Sequence, residues 1–587
     1  MTRSRERWVL AGLLALLVAP LVVALVVLRR PQWFPVLDLA MTEYRVRDVF
    51  TAHTPLIGLP GRIGRTLAQQ GSHPGPLSFY ALAPTYRLLG KSAWAMQVGT
   101  VVIHSVAMGV SLVIARRRGG LRLAIAVAAL LALLTRGYGL SALTEPWNPY
   151  LPLLWWVAFL LAVWSVVVGD VAMLPVAVLA ASFCAQTHVP YLAITLGLGA
   201  VAAVAVVRHE DRARALRWGA AAVALGLVLW TPPVIDQLVH HPGNFSLLYR
   251  HFTDPPEKPV GLGTGVRLAL LHLDFSGLAA GRNGSTGSLV VATSEPTGSI
   301  VPGVVVLAVW LAAAVVAFRR KHRALLGLHV VVAAGLGFGA ISMGRIFGDL
   351  WYYLMLWAWG VGALLVLAVG WTVATFLGER ERRIGTALLA AVTVVSAALF
   401  AVDARHAQPP APRLSSTLGR LVGPTMAALD RDGRYVVTWS DALHIGSQAY
   451  GLVSELERHG YRVGMTEGLH VPLTDYRVVP PSQATAEIHF ATGIYVDEWR
   501  AKPEAKELVY VEPRSAAEQR EFDRLRARVL DRLGALGLDD VAAAVDANLF
   551  GASIDRRVPR DTRKLIARML ELGEPTAVFL APAGTTS

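Results

Sequence analysis

The chain has 587 residues, of which 54% are hydrophobic and 16% charged, and its mean hydropathy is +0.48. That balance excludes a water-soluble globular protein and points to a membrane chain. The formal charge of +14 is not the footprint of a nucleic-acid binder, because it is unevenly placed: residues 403–587 hold 23 basic and 25 acidic side chains, leaving 32 and 16 to the apolar residues 1–402. The one cysteine, Cys184, lies in an apolar run, which excludes an intrachain disulfide, a Cys-based zinc site and a redox pair.

In chain order, the basic start Arg3, Arg5 and Arg7 precedes an uncharged stretch over 8–28. It is long enough to cross about 30 Å of hydrocarbon and reads as a retained signal-anchor helix with its N-terminus in the cytoplasm. Further apolar stretches near 93–115, 121–135, 151–168, 171–187, 190–207, 218–233, 301–318, 324–342, 351–377 and 384–402 predict about eleven spans. With that count four basic groups fall on one side: Arg116 to Arg118, Arg208 to Arg217, Arg319 to Arg323 and Arg380 to Arg383. The positive-inside rule makes that side the cytoplasm. Arg29 and Arg30 sit at the opposite end of the first span, where arginines can snorkel to the interface. An odd number of spans divides the chain into a membrane domain, 1–402, and an extracytoplasmic soluble domain, 403–587. The outward loops are 29–92, 136–150, 188–190, 234–300 and 343–350.

The spans are nearly free of ionisable groups, His104 being the main exception, which disfavours an ion-coupled carrier. Ionisable residues gather instead in the outward loops, above all Asp38, Glu43, Arg45, Arg47, Asp48, His53, Arg62, Arg65 and His73 in the first. Segment 76–90 is apolar but too short to span, and suits a helix lying in the membrane interface.

An aspartate just after the first span, then His73-Pro74-Gly75-Pro76-Leu77, a short amphipathic helix ending Leu88-Leu89-Gly90, then Ser92-Ala93-Trp94-Ala95 opening the next span: this order resembles the GT-C class of membrane glycosyltransferases. That class includes protein O-mannosyltransferases, the aminoarabinose transferase of lipid A, and actinobacterial arabinosyl- and mannosyltransferases. The likeness is strongest over 33–118. It extends more loosely to Glu145-Pro146-Trp147-Asn148-Pro149-Tyr150, to Gln186-Thr187-His188-Val189-Pro190-Tyr191, and to Arg345 with Trp351, Tyr352 and Tyr353.

The spans and the soluble end together read as a polytopic α-helical membrane protein, GT-C-like, with a C-terminal extracytoplasmic α/β domain. The resemblance implies transfer of a sugar from a polyprenyl-phosphate donor, with inversion, to a glycan, lipid or protein acceptor on the outer face of the cytoplasmic membrane. Asp38 matches the position of the family's base; an inverting displacement needs a base opposite the phosphate leaving group. Many relatives have an Asp-Glu pair there, whereas residue 39 is Leu, so Glu43 is the candidate second acid. On a continuous helix it would lie about 140° around from Asp38, so the two converge only if the chain turns between them. His73, Arg45, Glu145 and His188 are candidate substrate contacts, and Arg345 is suited to gripping a phosphate bidentately. Plainer readings stand beside these: Asp38 as a helix cap, Glu43 with Arg47 as a surface pair, the aromatics as an interfacial belt.

No cofactor is implied beyond the lipid-linked donor, and a divalent cation is not indicated: His240, His241 and His251 lack metal-ligand spacing. The Gly-rich stretch 261–289 reads as a flexible loop covering the site. In the C-terminal domain 435–439 and 461–463 read as strands around a helix at 443–459, with helices near 515–535 and 561–572. It has no nucleophile elbow or phosphate loop and reads as a non-catalytic domain that orders the outer face or holds acceptor glycan, with Trp439, Asp441 and His444 as sugar contacts. The Ala-, Val-, Arg- and Gly-rich usage suits a high-GC bacterium. The competing class is a non-enzymatic lipid-linked-glycan transporter or envelope scaffold; a transferase relative that has lost its base is a third possibility.

Overall fold

The structure, a computed structural model, describes residues 3–66, 70–276, 296–443 and 445–586. By contact the chain forms two compact units. A helical unit comprises the chain to Arg30, Val46–Arg65 and the described residues on to Gln408. The second comprises Pro31–Arg45 and the chain from Pro409 onward. The boundary expected at 402/403 thus falls six residues later, because the last apolar helix runs on to Ala404. Of the expected first loop, Pro31–Arg45 groups by contact with the chain from Pro409 onward.

Eight helices among the described residues are long and apolar enough to cross a membrane. Ala93–Thr144 is two helices in one, broken where Gly119 and Gly120 leave helical backbone geometry; Gly120 takes a φ of 67° that only glycine adopts without strain. With the shorter apolar helices Leu153–Val167 and Val171–Thr187, all eleven expected apolar stretches lie on helices, as befits a multi-pass membrane protein. Leu153–Val167 is apolar all round and buried from Leu153 to Val166, the mark of a central helix. Arg212–Val239 by contrast leaves Val223, Leu227 and Val228 exposed, as a lipid-facing helix must.

The basic groups meet at one end of this unit. Arg116 pairs with Glu6 at 2.6 Å, Arg118 with Asp170 at 2.8 Å, and Arg122 with Glu379. His209 reaches the Gly169 carbonyl at 3.1 Å, and Arg320 donates to the Thr375 carbonyl at 3.0 Å. The opposite end gathers the other loops. Gly75 donates to the Gln186 carbonyl at 3.2 Å, and Val260 to that of Ile346 at 3.0 Å. A two-stranded hairpin of β1 (Pro60–Ile63) and β2 (Gly71–Ser72) lies here too, clipped by Asn244, whose Oδ1 accepts from the Ser72 amide at 2.8 Å.

Three expectations for these loops change. Residues 136–144 are helical, continuing the helix to Thr144. The long loop 234–300 carries helices Asn244–Thr253 and Leu262–Leu271. The latter replaces the start of the expected Gly-rich flexible loop: Gly265 is there for close packing, since a Cβ on it would fall 2.1 Å from the Ala340 carbonyl oxygen. Residues 277–289 of that stretch lie outside the described residues. The short helix expected over 76–90 is present as Leu77–Leu88.

The second unit is built on a five-stranded sheet of β3 (Arg434–Ser440), β4 (Arg462–Met465), β5 (Ala486–Thr492), β6 (Lys506–Val511) and β7 (Thr576–Ala581), in the order β4-β3-β5-β7-β6. β3 runs parallel to β4 and β5, and β7 antiparallel to β5 and β6. The expected β-α-β start is present, with helix Ser447–Arg458 between β3 and β4. Helices Ala516–Ala535 and Arg560–Leu572 match the two expected later. The first begins with a capping box of Ser515 and Glu518, each side chain accepting from the other's amide.

Candidate functional site

Within the helical unit, the end away from the basic loops holds a compact set of buried polar side chains. His73 follows β2, and its Nδ1 accepts from the Val189 amide at 3.1 Å, which puts the imidazole proton on Nε2. Gly75 lets this loop approach: a Cβ there would lie 2.2 Å from Gln186 Oε1. The His73 and His188 rings meet edge-on with centroids 5.2 Å apart, and His188 in turn faces Tyr353 at 6.0 Å and Tyr191 at 6.1 Å. Trp147 packs on Tyr353 at 5.1 Å and on Tyr150 at 4.8 Å.

Burial sets the charge of this region. It lowers the His73 pKa to about 3. It pulls His188 well below its ordinary range, with the His73 charge as a second cause. It raises Glu145, which follows helix Ala93–Thr144, to about 8, outweighing the hydrogen bond from Ser141 that acts the other way. At neutral pH the histidines are neutral bases and Glu145 a neutral acid able to donate a hydrogen bond. Four polar atoms in one short stretch are buried without a hydrogen-bond partner: Gln186 Oε1, Thr187 Oγ1, His188 Nδ1 and the Tyr191 hydroxyl. Buried polar atoms are almost always satisfied, so this stretch is the candidate for polar contact with a ligand.

Nearer the loop surface, Arg345 caps helix Arg323–Gly344 and donates to the Phe252 carbonyl at 3.0 Å, its guanidinium 5.4 Å from the Phe347 ring. Arg62 lies over Trp351 at 4.0 Å, with Asp349 3.9 Å away. Sequence reasoning did not single out Arg62, Gln186, Thr187 or Tyr191 as site residues. The last three stand in the segment that carried the resemblance, and the aromatic neighbours of Arg62 were visible beside Arg345. Among the described residues no group of three His, Cys, Asp or Glu is placed to hold a metal ion. His104 is fully buried within its helix.

The remaining expected residues lie in the second unit, on helix Leu37–Asp48. Leu37 takes a left-handed φ of 45°, a strained backbone for a non-glycine residue, immediately before Asp38. Asp38 is half-buried in the first turn, its carbonyl accepting from Thr42 Oγ1 at 2.8 Å. Its carboxylate neighbours the Tyr450 phenol, whose pKa rises to about 12 through burial and then through the Asp38 charge.

Glu43 is a different case. The chain from Leu37 to Asp48 is one unbroken helix, so the turn that would bring Glu43 to Asp38 is absent. Glu43 is fully buried in an ion pair with Arg458 and accepts from Ser454 Oγ at 3.3 Å. The carboxylate expected as a second catalytic acid is thus engaged by the fold here. Arg45, expected as a substrate contact, donates to the carbonyls of Pro472 at 3.0 Å and Val471 at 2.9 Å and so holds backbone. In the same unit Asp441, expected as a sugar contact, accepts from the amides of Leu443 at 2.8 Å and Gly446 at 2.7 Å and from Thr492 Oγ1 at 2.7 Å. His444 lies outside the described residues.

No protein-family model matches the sequence, and no curated protein does. Solved structures do. The crystal structure of ArnT from Cupriavidus metallidurans bound to undecaprenyl phosphate aligns with a TM-score of 0.53 at 15% identity, over 85% of this chain and 96% of that one. Its apo form aligns with a TM-score of 0.49 over the same shares. The archaeal oligosaccharyltransferase AglB from Archaeoglobus fulgidus gives 0.34 at 11% identity, over 83% and 70%. The likeness to the lipid-bound ArnT structure extends over nearly the whole of that protein, and the chain shares its fold.

Proposed function

We propose that this protein is an inverting membrane glycosyltransferase. It takes a sugar from a polyprenyl-phosphate donor and passes it to a glycan, lipid or protein acceptor on the outer face of the cytoplasmic membrane. The observation that carries the reading is the cluster of partnerless buried polar atoms at Gln186, Thr187, His188 and Tyr191, beside neutral His73 and walled by Trp147, Tyr150 and Tyr353. Aromatic faces and uncharged hydrogen-bonding groups suit a sugar ring with its hydroxyls. The architecture shared with a structure that holds undecaprenyl phosphate supports the donor class by analogy of fold.

In this reading Asp38, whose place in the sequence matches the family's base, takes the proton of the acceptor hydroxyl as the acceptor oxygen bonds to the anomeric carbon. The bond from that carbon to the phosphate oxygen breaks, its electron pair leaving with the polyprenyl phosphate. Arg345 meets the phosphate through the guanidinium hydrogens that the Phe252 carbonyl does not engage. The basic loops at the other end of the helical unit lie in the cytoplasm, where the positive-inside rule places them.

The test incubates purified protein and its Asp38→Asn variant with a panel of radiolabelled polyprenyl-phosphate sugars, following label into envelope glycan or released sugar. Donor-specific transfer that the variant loses is expected. Folded wild-type protein that moves label from no donor would overturn the reading and favour a transporter or scaffold. Arg345→Ala should weaken donor binding by about tenfold to a hundredfold, the worth of one charge-assisted phosphate contact, and leave acceptor affinity alone; unchanged donor affinity removes Arg345 from the site.

A further inference from the structure

The residues that grip helix Leu37–Asp48 come from the far end of the chain. Helix Ser447–Arg458 presents Tyr450, Ser454 and Arg458 on one face at spacings of four, the repeat that lines up side chains along a helix. Each meets the Asp38-bearing segment. The Tyr44 hydroxyl donates to the Tyr450 carbonyl, Ser454 Oγ donates to Glu43, and Arg458 pairs with Glu43 while also meeting Glu455 at 3.1 Å. The contact is close enough to need a glycine: a Cβ on Gly451 would lie 2.5 Å from the Pro35 carbonyl oxygen. Next to it the Phe34 amide donates to Ser415 Oγ at 2.9 Å, and the Arg477 guanidinium lies 4.9 Å from the Tyr44 ring. By contact, Pro31–Arg45 belongs with these residues.

We propose that helix Ser447–Arg458 is the positioning element for Asp38, with the ion pair of buried Glu43 and part-buried Arg458 as its clamp, the close approach at Gly451 as its register stop and Tyr450 as the neighbour of the carboxylate. The C-terminal unit is then part of the catalytic apparatus and not an accessory. The inference rests on the transferase reading only for the role of Asp38; the clamp itself is a statement about packing. An acid whose task is to meet one hydroxyl must be held closely, and a misplacement of about 1 Å costs about a hundredfold in rate. A buried ion pair is a directional means of fixing such a register.

The test uses full-length protein with two independent lesions: Arg458→Ala, which removes the clamp, and Gly451→Ala, which leaves every charge in place and forces the Pro35 segment aside. Hydrogen exchange of the peptide spanning residues 37–45 is read beside turnover. Both variants should exchange there at least about tenfold faster than wild type and lose about tenfold to a hundredfold in kcat, with the donor KM unchanged. Arg458→Lys should recover most of both. Wild-type exchange and kcat in the two alanine variants would overturn the proposal. If Arg458→Ala fails to fold, Gly451→Ala decides alone. If wild-type protein transfers no sugar, the transferase reading falls while the exchange of 37–45 still decides the clamp.

Discussion

Two places in the molecule treat their buried ionisable groups differently. In the loop cluster of the helical unit burial neutralises them: His73 and His188 give up their protons and Glu145 keeps its own. In the second unit carboxylates are matched with arginines: Glu43 with Arg458, Glu457 with Arg477 at 2.8 Å, Asp546 with Arg526. The difference separates what is free to act from what is built to hold. A carboxylate locked to a guanidinium has spent its hydrogen bonds on the fold, whereas neutral, partly unsatisfied groups keep theirs for a ligand.

The largest effect expected within this contrast is at Asp38, a carboxylate of the second unit assigned to chemistry. Asp38→Asn should cost about a hundredfold to ten-thousandfold in turnover, the usual worth of a positioned base, while the thermal midpoint stays near that of wild type. Retained turnover would return Asp38 to the structural class of its neighbour Glu43. Arg458→Ala should destabilise the second unit by about 3–5 kcal/mol, because it strands a buried charge. A loss under about 1 kcal/mol in chemical denaturation would mean that Glu43 takes up a proton or is solvated.

Effects of pH should tilt the helical unit in two directions. Glu145 holds its proton up to about pH 8 when folded, against an ordinary value of 4.5. Between those values the folded state binds more protons than the unfolded chain, so this group lowers stability as pH rises through that window. Glu145→Gln should remove that loss, giving a flatter midpoint-against-pH curve between pH 5 and 8. His73, lowered from 6.5 to about 3, works the other way: the unfolded chain binds the extra proton, and stability falls on acidification below pH 6.5. His73→Gln should flatten that limb. Curves parallel to wild type would show these groups to be charged in the folded protein. The smallest effect is expected at Arg65 and Asp254, an exposed pair at 3.0 Å. Arg65→Ala should change stability by less than about 1 kcal/mol, and a larger loss would show that pairing matters in the helical unit as well.

Much of the fold was legible because hydropathy and charge are local quantities. Each apolar run announces its helix, and the segregated arginines say which ends belong together. The short helix Leu77–Leu88 and the opening β-α-β of the second unit were readable for the same reason. Strands β5, β6 and β7 were not, because each is short and pairs with strands from distant parts of the chain. Nor was helix Leu262–Leu271, whose glycines look like flexibility until the backbone that packs against Gly265 is known.

The candidate site divides along the same line. His73, His188, Glu145 and Arg345 stood out by residue type and loop position, and the structure joins the two histidines. Their neutrality depends on what surrounds them and is written in no local window. Glu43 looked like half of an acid pair because Asp38 is five residues away. Its partner is 415 residues away. The sequence by itself determined a multi-pass chain with its basic loops on one side and a polar first loop, since these follow from transfer energies summed over neighbours in the chain. Only the tertiary structure decided which carboxylate is held by an arginine, which groups burial neutralises and which helix packs beside the Asp38-bearing segment, because burial and pairing are set by contacts between segments that the chain brings together from opposite ends.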